Sequence, residues 1–409
     1  MDAIPSWEEI RRGDTTDIYF LRTMEVLRNV GKDRVRVKAE AFVKRFPDAY
    51  EYGILSGMDE MLSLLAGREA DVRAMEEGSL FLVGEPVLCI EGPYGAFCEM
   101  ETAMLGVICQ ASGIATRASR IKHLARDKTI LSFGARRMHP ALSTIIDRSA
   151  FIGGVDGVSV VRSAEYLGET PMGTMPHALI LVLGDTVAAL RAFDGAVDPK
   201  VPRVCLIDTL QDEKFEAVRA AEALGEKLAA VRLDTPSSRR GDFRRLFQEV
   251  RWELDLRGYS HVRLLASGGL GEEDIRNLYD VADGFGVGTA LSNAPTLDFA
   301  LDIVEVEGVP FAKRGKQSGG KQVLRCPSCG LRKVTPEFDV PQLCPCGAAM
   351  EGLLLPAMRE GKVVAPVRSP RDLRRKVLDQ VARFHAGRPA ESSPPRRTPR
   401  GAGTSGKER

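Results

Sequence analysis

Two glycine turns, an Arg-x-Asp pair, one histidine behind a proline and four crowded cysteines are the groups in this chain equipped for chemistry. Ser267-Gly268-Gly269 and Gly286-Val287-Gly288-Thr289 are built from small residues. Glycine lets a backbone approach an oxyanion closely, and N–H groups at a helix start point at it, so both turns suit a phosphate. Arg232 and Asp234 lie two apart on an apolar run, which puts them on one face of a strand. An Arg fork there grips phosphate or carboxylate, and the Asp can take ribose hydroxyls or Mg²⁺; a strand-end salt bridge is the plainer alternative. His177 follows Gly173-Thr174-Met175-Pro176 and opens an apolar stretch. It can capture a phosphoryl group or simply cap and pack, and the local residues alone favour the second. Phe133 and Tyr19 are able to sandwich a flat ring, although a strand-end Phe is more often core.

The cysteines divide into two sets. Cys326-Pro-Ser-Cys329 and Cys344-Pro-Cys346, each followed by Gly (Gly330, Gly347), are separated by fourteen residues. Two close pairs joined by a short loop suit tetrahedral thiolate ligation of Zn²⁺, and four protein ligands leave no open position, so such a metal is structural. The Cys-x-Cys spacing of the second pair departs from the common pattern, and redox pairs are the alternative. Cys89, Cys98, Cys109 and Cys205 are scattered through apolar or mixed surroundings and read as buried thiols.

The elements that must position these groups follow from periodicity. From about residue 129, short apolar strands (129–133, 157–161, 204–207, 228–233, 261–266, 284–287) alternate with helices (140–150, 163–167, 178–193, 213–224, 243–256, 272–279). Such units imply parallel strands, right-handed crossovers and coverage on both faces. An open sheet and a barrel both fit. The strand ends favour the barrel: they read Phe133-Gly-Ala-Arg136, Asp208-Thr209, Arg232-Leu-Asp234-Thr235, Ser267-Gly268-Gly269 and Gly286-Val-Gly288-Thr289. Active sites of α/β barrels gather at that end. Residues 1–118 mix helices (18–30, 56–66, 99–112) with strands (35–46, 80–91) and read as an α+β flanking domain. Leu373, Val377, Val381 and Phe384 give 370–386 the pattern of an amphipathic docking helix, and the Pro/Ser/Gly/Arg-rich stretch beyond it the composition of a disordered tail.

At 409 residues, 44% apolar and 28% charged, the chain has the composition of an ordinary globular protein with more than one domain. A net charge of +1 gives no field selective for nucleic acid or anionic membrane. The polar N-terminus lacks a signal-peptide pattern and no apolar stretch is long enough to span a bilayer, so a cytoplasmic location is expected. A zinc-ribbon nucleic-acid-binding protein would explain the cysteines and the basic tail, but not the ordered strand ends.

Taken together, the motifs resemble the nicotinate phosphoribosyltransferases, especially archaeal-type members with a zinc-knuckle appendage. The matching runs are Thr16-Asp17-Ile-Tyr19-Phe20, Ile90-Glu91-Gly92-Pro93-Tyr94, Glu101-Thr102-Ala-Met-Leu105-Gly106 and Ser132-Phe133-Gly134-Ala-Arg136-Arg137. Gly153-Gly154-Val-Asp156-Gly157, Gly173-Thr174-Met-Pro-His177, Arg232-Leu-Asp234-Thr235-Pro236 and Ser267-Gly268-Gly269 continue the series, which spans roughly residues 14–350. The resemblance implies a type II phosphoribosyltransferase-like, incomplete α/β barrel at 119–300. The flanking domain, 1–118, would be joined by part of 300–325. A Cys₄ zinc module at 324–356, a C-terminal segment at 357–387 and a basic tail at 388–409 would follow.

By the same resemblance, Phe133 and Tyr19 stack on the pyridine, Tyr19 acting from the neighbouring subunit of a homodimer or larger assembly. Arg136, Arg137 and Arg232 would contact phosphates or the pyridine carboxylate, Asp156 would face the base, and Asp234 would lie near ribose and the Mg²⁺–pyrophosphate. Ser267–Gly269 and Gly286, Gly288 and Thr289 would cradle the 5′-phosphate. His177 would be phosphorylated by ATP, which places the reaction in the ligase class. The implied product is nicotinate mononucleotide, made from nicotinate and phosphoribosyl pyrophosphate for NAD salvage, with nicotinamide or quinolinate as alternative bases.

Overall fold

The structure, a computed structural model, describes residues 3–47 and 50–386. The basic tail at 388–409 lies outside the described residues. A seven-stranded antiparallel sheet forms the flanking domain, in the order Val309–Pro310, Phe299–Val306, Arg36–Val43, Pro86–Pro93, Asp71–Ala74, Leu355–Arg359 and Lys362–Val363. Its inward side chains, among them Ala41, Val43, Val72, Leu88 and Ile90, pack on Met61, Leu62 and Leu65 of the helix Met58–Leu65. The sequence pattern at 80–91 reads as one strand but is two, the short Leu80–Phe81 and the eight-residue Pro86–Pro93, split by a turn at Gly84 (φ 79°).

The helix Glu101–Ala125 runs well past the expected end at residue 112 and crosses the expected domain boundary at 118. Its early residues Met104 and Ile108 belong to the flanking core, while Ile114, Ala118, Ile121 and Ala125 belong to the barrel core. Gly113 marks the crossover, because a Cβ there would sit 2.3 Å from the Pro295 carbonyl oxygen.

Six strands make the second sheet, all parallel, in the order Gly157–Val158, Thr129–Ser132, Gly284–Val287, Arg263–Ala266, Leu228–Leu233 and Arg203–Leu206. The edge strands Gly157–Val158 and Arg203–Leu206 do not pair, so the barrel is open on one side. The segment between them carries the helices Val161–Leu167, His177–Leu183 and Thr186–Ala196. The last two were read from the sequence as one helix, 178–193. Gly184 in the left-handed region (φ 78°) ends the first, and the Asp185 carboxylate accepts from Ala188 N–H at 2.9 Å to cap the second.

The cysteine segment folds as a three-stranded sheet (Arg332–Pro336, Lys321–Arg325, Glu351–Gly352). The C-terminal helix Pro370–Ala386 buries Leu373, Val377 and Val381 against Tyr52, Ile54, Leu80, Ala115 and Ile152. No helix among the described residues is long and apolar enough to cross a membrane.

Candidate active site and metal centre

Four strands deliver their C-terminal ends to one rim. Leu228–Leu233 brings Arg232 and, one residue beyond the strand, Asp234. The Ser267 hydroxyl donates to Asp234 Oδ1 at 2.8 Å, tying the ends of two adjacent strands together. Gly286 has no room for a side chain: an added Cβ would meet the Phe133 ring at 2.4 Å and Ser267 Cβ at 3.3 Å. Gly134, next in line, lies so close to the Gly288 carbonyl that a Cβ would sit 2.6 Å away. Phe133 therefore lies across the rim, with the Arg232 guanidinium 6.0 Å from its ring centroid.

His177 joins this cluster from the helix that fills the barrel's open side. Its Nδ1 is 3.0 Å from Thr209 Oγ1, which leaves Nε2 facing Asp234 at 3.4 Å and Asp208 at 3.9 Å. Thr174, three residues earlier, accepts from Arg232 Nη1 at 2.5 Å. The packed, capping histidine that local residues favoured thus gives way to a half-exposed imidazole held between two carboxylates.

Charge here is strained. The Asp208 side chain is 2% exposed, and among the described residues neither of its oxygens has a well-formed hydrogen bond, the backbone N–H groups of Asp234 and of Asp208 itself lending only weak support. Burial pushes its pKa up and Asp234 adds to the rise, opposed by His177. Burial also lowers the Arg232 pKa, as does the nearby positive charge of Arg136, while Asp234 and Asp208 act the other way. The Arg232 Nε is buried without a partner among the described residues. Arg136 and Arg137 stand exposed on the short 3₁₀ turn just beyond Phe133.

Ser267-Gly268-Gly269 departs from regular structure, with Gly268 and Gly269 both at positive φ (92° and 70°). Among the described residues no acceptor takes the N–H of Gly268, Gly269 or Leu270. Consecutive donors in such a turn form an anion-binding concavity. The helix beginning at Thr289 has Gly288 before it and no side-chain cap.

Two residues singled out in the sequence are not brought to this cluster. Asp156 precedes the strand Gly157–Val158, at the opposite end of the barrel from the rim. Its Oδ2 accepts from Lys122 Nζ and Ile130 N–H, both at 2.8 Å, and Oδ1 pairs with Arg374. It ties two helices to the barrel, away from the Phe133–Arg232–Asp234 cluster. The residue that this short strand carries to the rim is Ser159, whose hydroxyl donates to the Ser132 carbonyl at 3.0 Å. Tyr19 sits on the flanking-domain helix Ile18–Asn29, its ring against Phe20 and the residue 55% exposed. Asp208, Thr209 and Thr174 were given no role from the sequence. Asp208-Thr209 nonetheless ends a barrel strand, the same signal that picked out Asp234.

The four cysteine sulfurs lie within 4.8 Å of one another, with Cys326–Cys346 and Cys329–Cys344 each at 3.5 Å. Zn–S bonds of about 2.3 Å in a tetrahedron set sulfurs about 3.8 Å apart, so the donor set fits one Zn²⁺. The Cys329 N–H, 3.4 Å from Cys326 Sγ, supplies the kind of outer hydrogen bond that steadies a thiolate ligand.

Comparison with known proteins agrees with this architecture. The family described as quinolinate phosphoribosyl transferase, N-terminal domain, matches residues 17–112, and its C-terminal domain matches 114–302. Fold and rim together define a phosphoribosyltransferase of the half-barrel class. The chain is 31% identical over 337 residues to the nicotinate phosphoribosyltransferase pncB2 of Mycobacterium tuberculosis, covering 78% of this chain and 70% of that one. It is 28% identical to the nicotinate phosphoribosyltransferase of Bacillus subtilis (71% and 66% covered). Among solved structures, the nicotinate-nucleotide pyrophosphorylase of Pyrococcus furiosus superimposes with a TM-score of 0.91 at 52% identity, over 94% of this chain and 98% of that one. Human nicotinic acid phosphoribosyltransferase shares the fold, with a TM-score of 0.72 at 20% identity over 90% and 94%. The chain belongs to the nicotinate phosphoribosyltransferase family.

Proposed function

We propose that this protein joins nicotinate to phosphoribosyl pyrophosphate, forming nicotinate mononucleotide and pyrophosphate, and couples the transfer to ATP hydrolysis through a phosphorylated His177. The observation that carries the reading is the convergence of Phe133, Arg232, Asp234, Ser267 and His177 on one rim. Phe133 offers a flat face for the pyridine. Arg232, buried beside that ring, is the better placed of the three arginines to take the pyridine carboxylate, and the exposed Arg136 and Arg137 suit phosphates. The unpaired N–H groups of the Gly268–Leu270 turn suit the 5′-phosphate.

Pyrophosphate leaves C1 of the ribose as positive charge builds on the sugar, so catalysis consists of holding the leaving group and aiming the ring nitrogen. The pyridine nitrogen has a free lone pair and needs no general base. Asp234 and Asp208 supply the oxygen donors that suit Mg²⁺, which when bound neutralises the departing pyrophosphate. His177, with Thr209 on Nδ1 and two carboxylates near Nε2, is held with its ring oriented toward the rim. Its phosphorylation and hydrolysis would act as a gate on the rim.

In this reading the exposed Tyr19 ring serves the site of a second copy, the four cysteines hold a structural zinc, and the enzyme works in the cytoplasm. Quinolinate, the base named by the matching family description, is the second reading. Its decarboxylating transfer has no need of the His177 arrangement. Assaying nicotinate, nicotinamide and quinolinate, each with and without ATP, separates these bases. Nicotinate is expected to be preferred and stimulated by ATP, and the stimulation is expected to vanish in His177→Ala while basal transfer survives. Preference for quinolinate, or ATP stimulation unchanged in the variant, would reject the proposal. Elemental analysis should find about one zinc per chain; four titratable thiols and no metal would reject the zinc assignment.

A further inference from the structure

The rim's glycine turn is held by a residue that the phosphate reading does not itself require. Arg240 lies on the connection between the strand Leu228–Leu233 and the helix Phe243–Leu256. Its Nε donates to the Thr235 carbonyl at 3.0 Å and its Nη2 to the Gly268 carbonyl. The guanidinium stacks over the Phe243 ring, 4.5 Å from the centroid, and Phe243 is anchored in the barrel core. One planar fork, fixed against a buried ring, therefore bridges the loops that follow two adjacent strands.

We propose that Arg240 is a positioning residue for the phosphate end of phosphoribosyl pyrophosphate; this rests on the function proposed above. The reasoning comes from the peptide unit. Gly268 and Gly269 are both in the left-handed region, where glycine moves freely, so the bond between them can rotate as a unit at little cost. In a trans peptide, C=O and the following N–H point in opposite directions. With the Gly268 oxygen drawn to Arg240, the Gly269 N–H is turned away from it, and among the described residues no acceptor takes that N–H. On the other side of the turn, Ser267 is fastened to Asp234 and the Leu233 carbonyl. The Ser267 clamp sets where the turn lies, and the Arg240 clamp sets which way its donor points. A phosphate then meets an N–H already oriented, with no ordering left to do on binding.

Arg240→Met keeps the apolar stem over Phe243 and removes the fork; Arg240→Lys keeps the charge but offers a point donor that cannot span both carbonyls. Steady-state kinetics of the full-length protein should show the KM for phosphoribosyl pyrophosphate raised about tenfold in Arg240→Met, as expected for losing charge-assisted hydrogen bonds. The nicotinate KM and the melting temperature should stay near wild type, and Arg240→Lys should retain most of the defect. Full rescue by lysine would reduce Arg240 to a source of charge and overturn the proposal. So would an unchanged KM, or equal changes in both substrates with a lowered melting temperature. An inactive wild type would instead sink the functional reading, so the two failures are distinguishable.

Discussion

Where the cysteine module meets the flanking sheet, Arg332 lays Nε and Nη2 on the two oxygens of Glu85, both at 2.7 Å. Beside it Lys321 holds Glu40 through both its backbone N–H (2.7 Å) and its ammonium (2.9 Å), and Glu337 reaches the sheet to pair with Lys38 and Arg73. Burial would push Glu337 up, but Lys38 and Arg73 outweigh it and hold its pKa below the usual range. At the barrel rim the same residue types are left wanting: among the described residues, Asp208 is buried without a well-formed hydrogen bond to either oxygen, and Arg232 with Nε unmatched. The difference separates two uses of buried charge. Paired charges fix the register between parts of a fold, whereas unpaired ones raise its energy and persist where a ligand completes them.

The sharpest test of that contrast is at the junction. Glu85→Ala leaves Arg332 buried without its carboxylate, the kind of broken pair that costs about 3–5 kcal/mol. Urea unfolding should register that loss in stability with catalysis unchanged per folded molecule. A loss under 1 kcal/mol would place the junction among ornamental surface bridges, whose worth is about 0–1 kcal/mol.

At the rim the sign should reverse. Asp208→Asn removes a buried charge that its neighbours only partly compensate, so stability at neutral pH is expected to rise by about 1 kcal/mol while turnover falls by about a hundredfold. The gain carries a pH signature. The raised pKa means that the folded chain binds this proton more tightly than the unfolded one, so ionisation costs stability. That cost is absent below the ordinary carboxylate value of about 4 and complete above the raised folded one. Wild type and variant should therefore converge in acid. A variant less stable than wild type at pH 7 would show that Asp208 belongs with the junction after all.

How far the sequence reveals this contrast depends on which end of an element is in question. Strand ends were legible because Gly, Asp, Ser and Arg interrupt apolar runs, and Ser267 and Asp234 do meet, as their parallel placement requires. Asp156 entered through the resemblance alone, and the sequence around it does not show that it precedes the short strand Gly157–Val158 and pairs with Lys122 and Arg374. Thr186–Ala196 hid inside a continuous apolar pattern, though Gly184-Asp185 carried a stop and a cap in adjacent positions. Neither the Arg332–Glu85 pair nor the Arg240 fork could be read, since long side chains paired across loops leave no period in the sequence.

Glu101 tests whether the contrast extends to partial burial. It opens the long helix and lines a cleft of about 600 Å³ with Tyr94, Phe97, Asp302 and Phe311, beside Lys313 and Arg314. Burial and then Asp302 push its pKa up to about 7, against the opposing pull of Lys313; Asp17 adds a little. Its folded pKa exceeds its unfolded value, so it stabilises the fold most when protonated. That contribution is complete below about 4.5 and is lost as pH rises through about 7. A shift of this size is worth about 3 kcal/mol unscreened, and about 1 kcal/mol once solvent in an open cleft is allowed for. Glu101→Gln should therefore match wild type in chemical denaturation at pH 5 and exceed it by about 1 kcal/mol at pH 8. Equal stabilities at both values would mean that water in the cleft already satisfies the ionised carboxylate, and the division between paired and unpaired charge would then apply only to groups as deeply enclosed as Asp208.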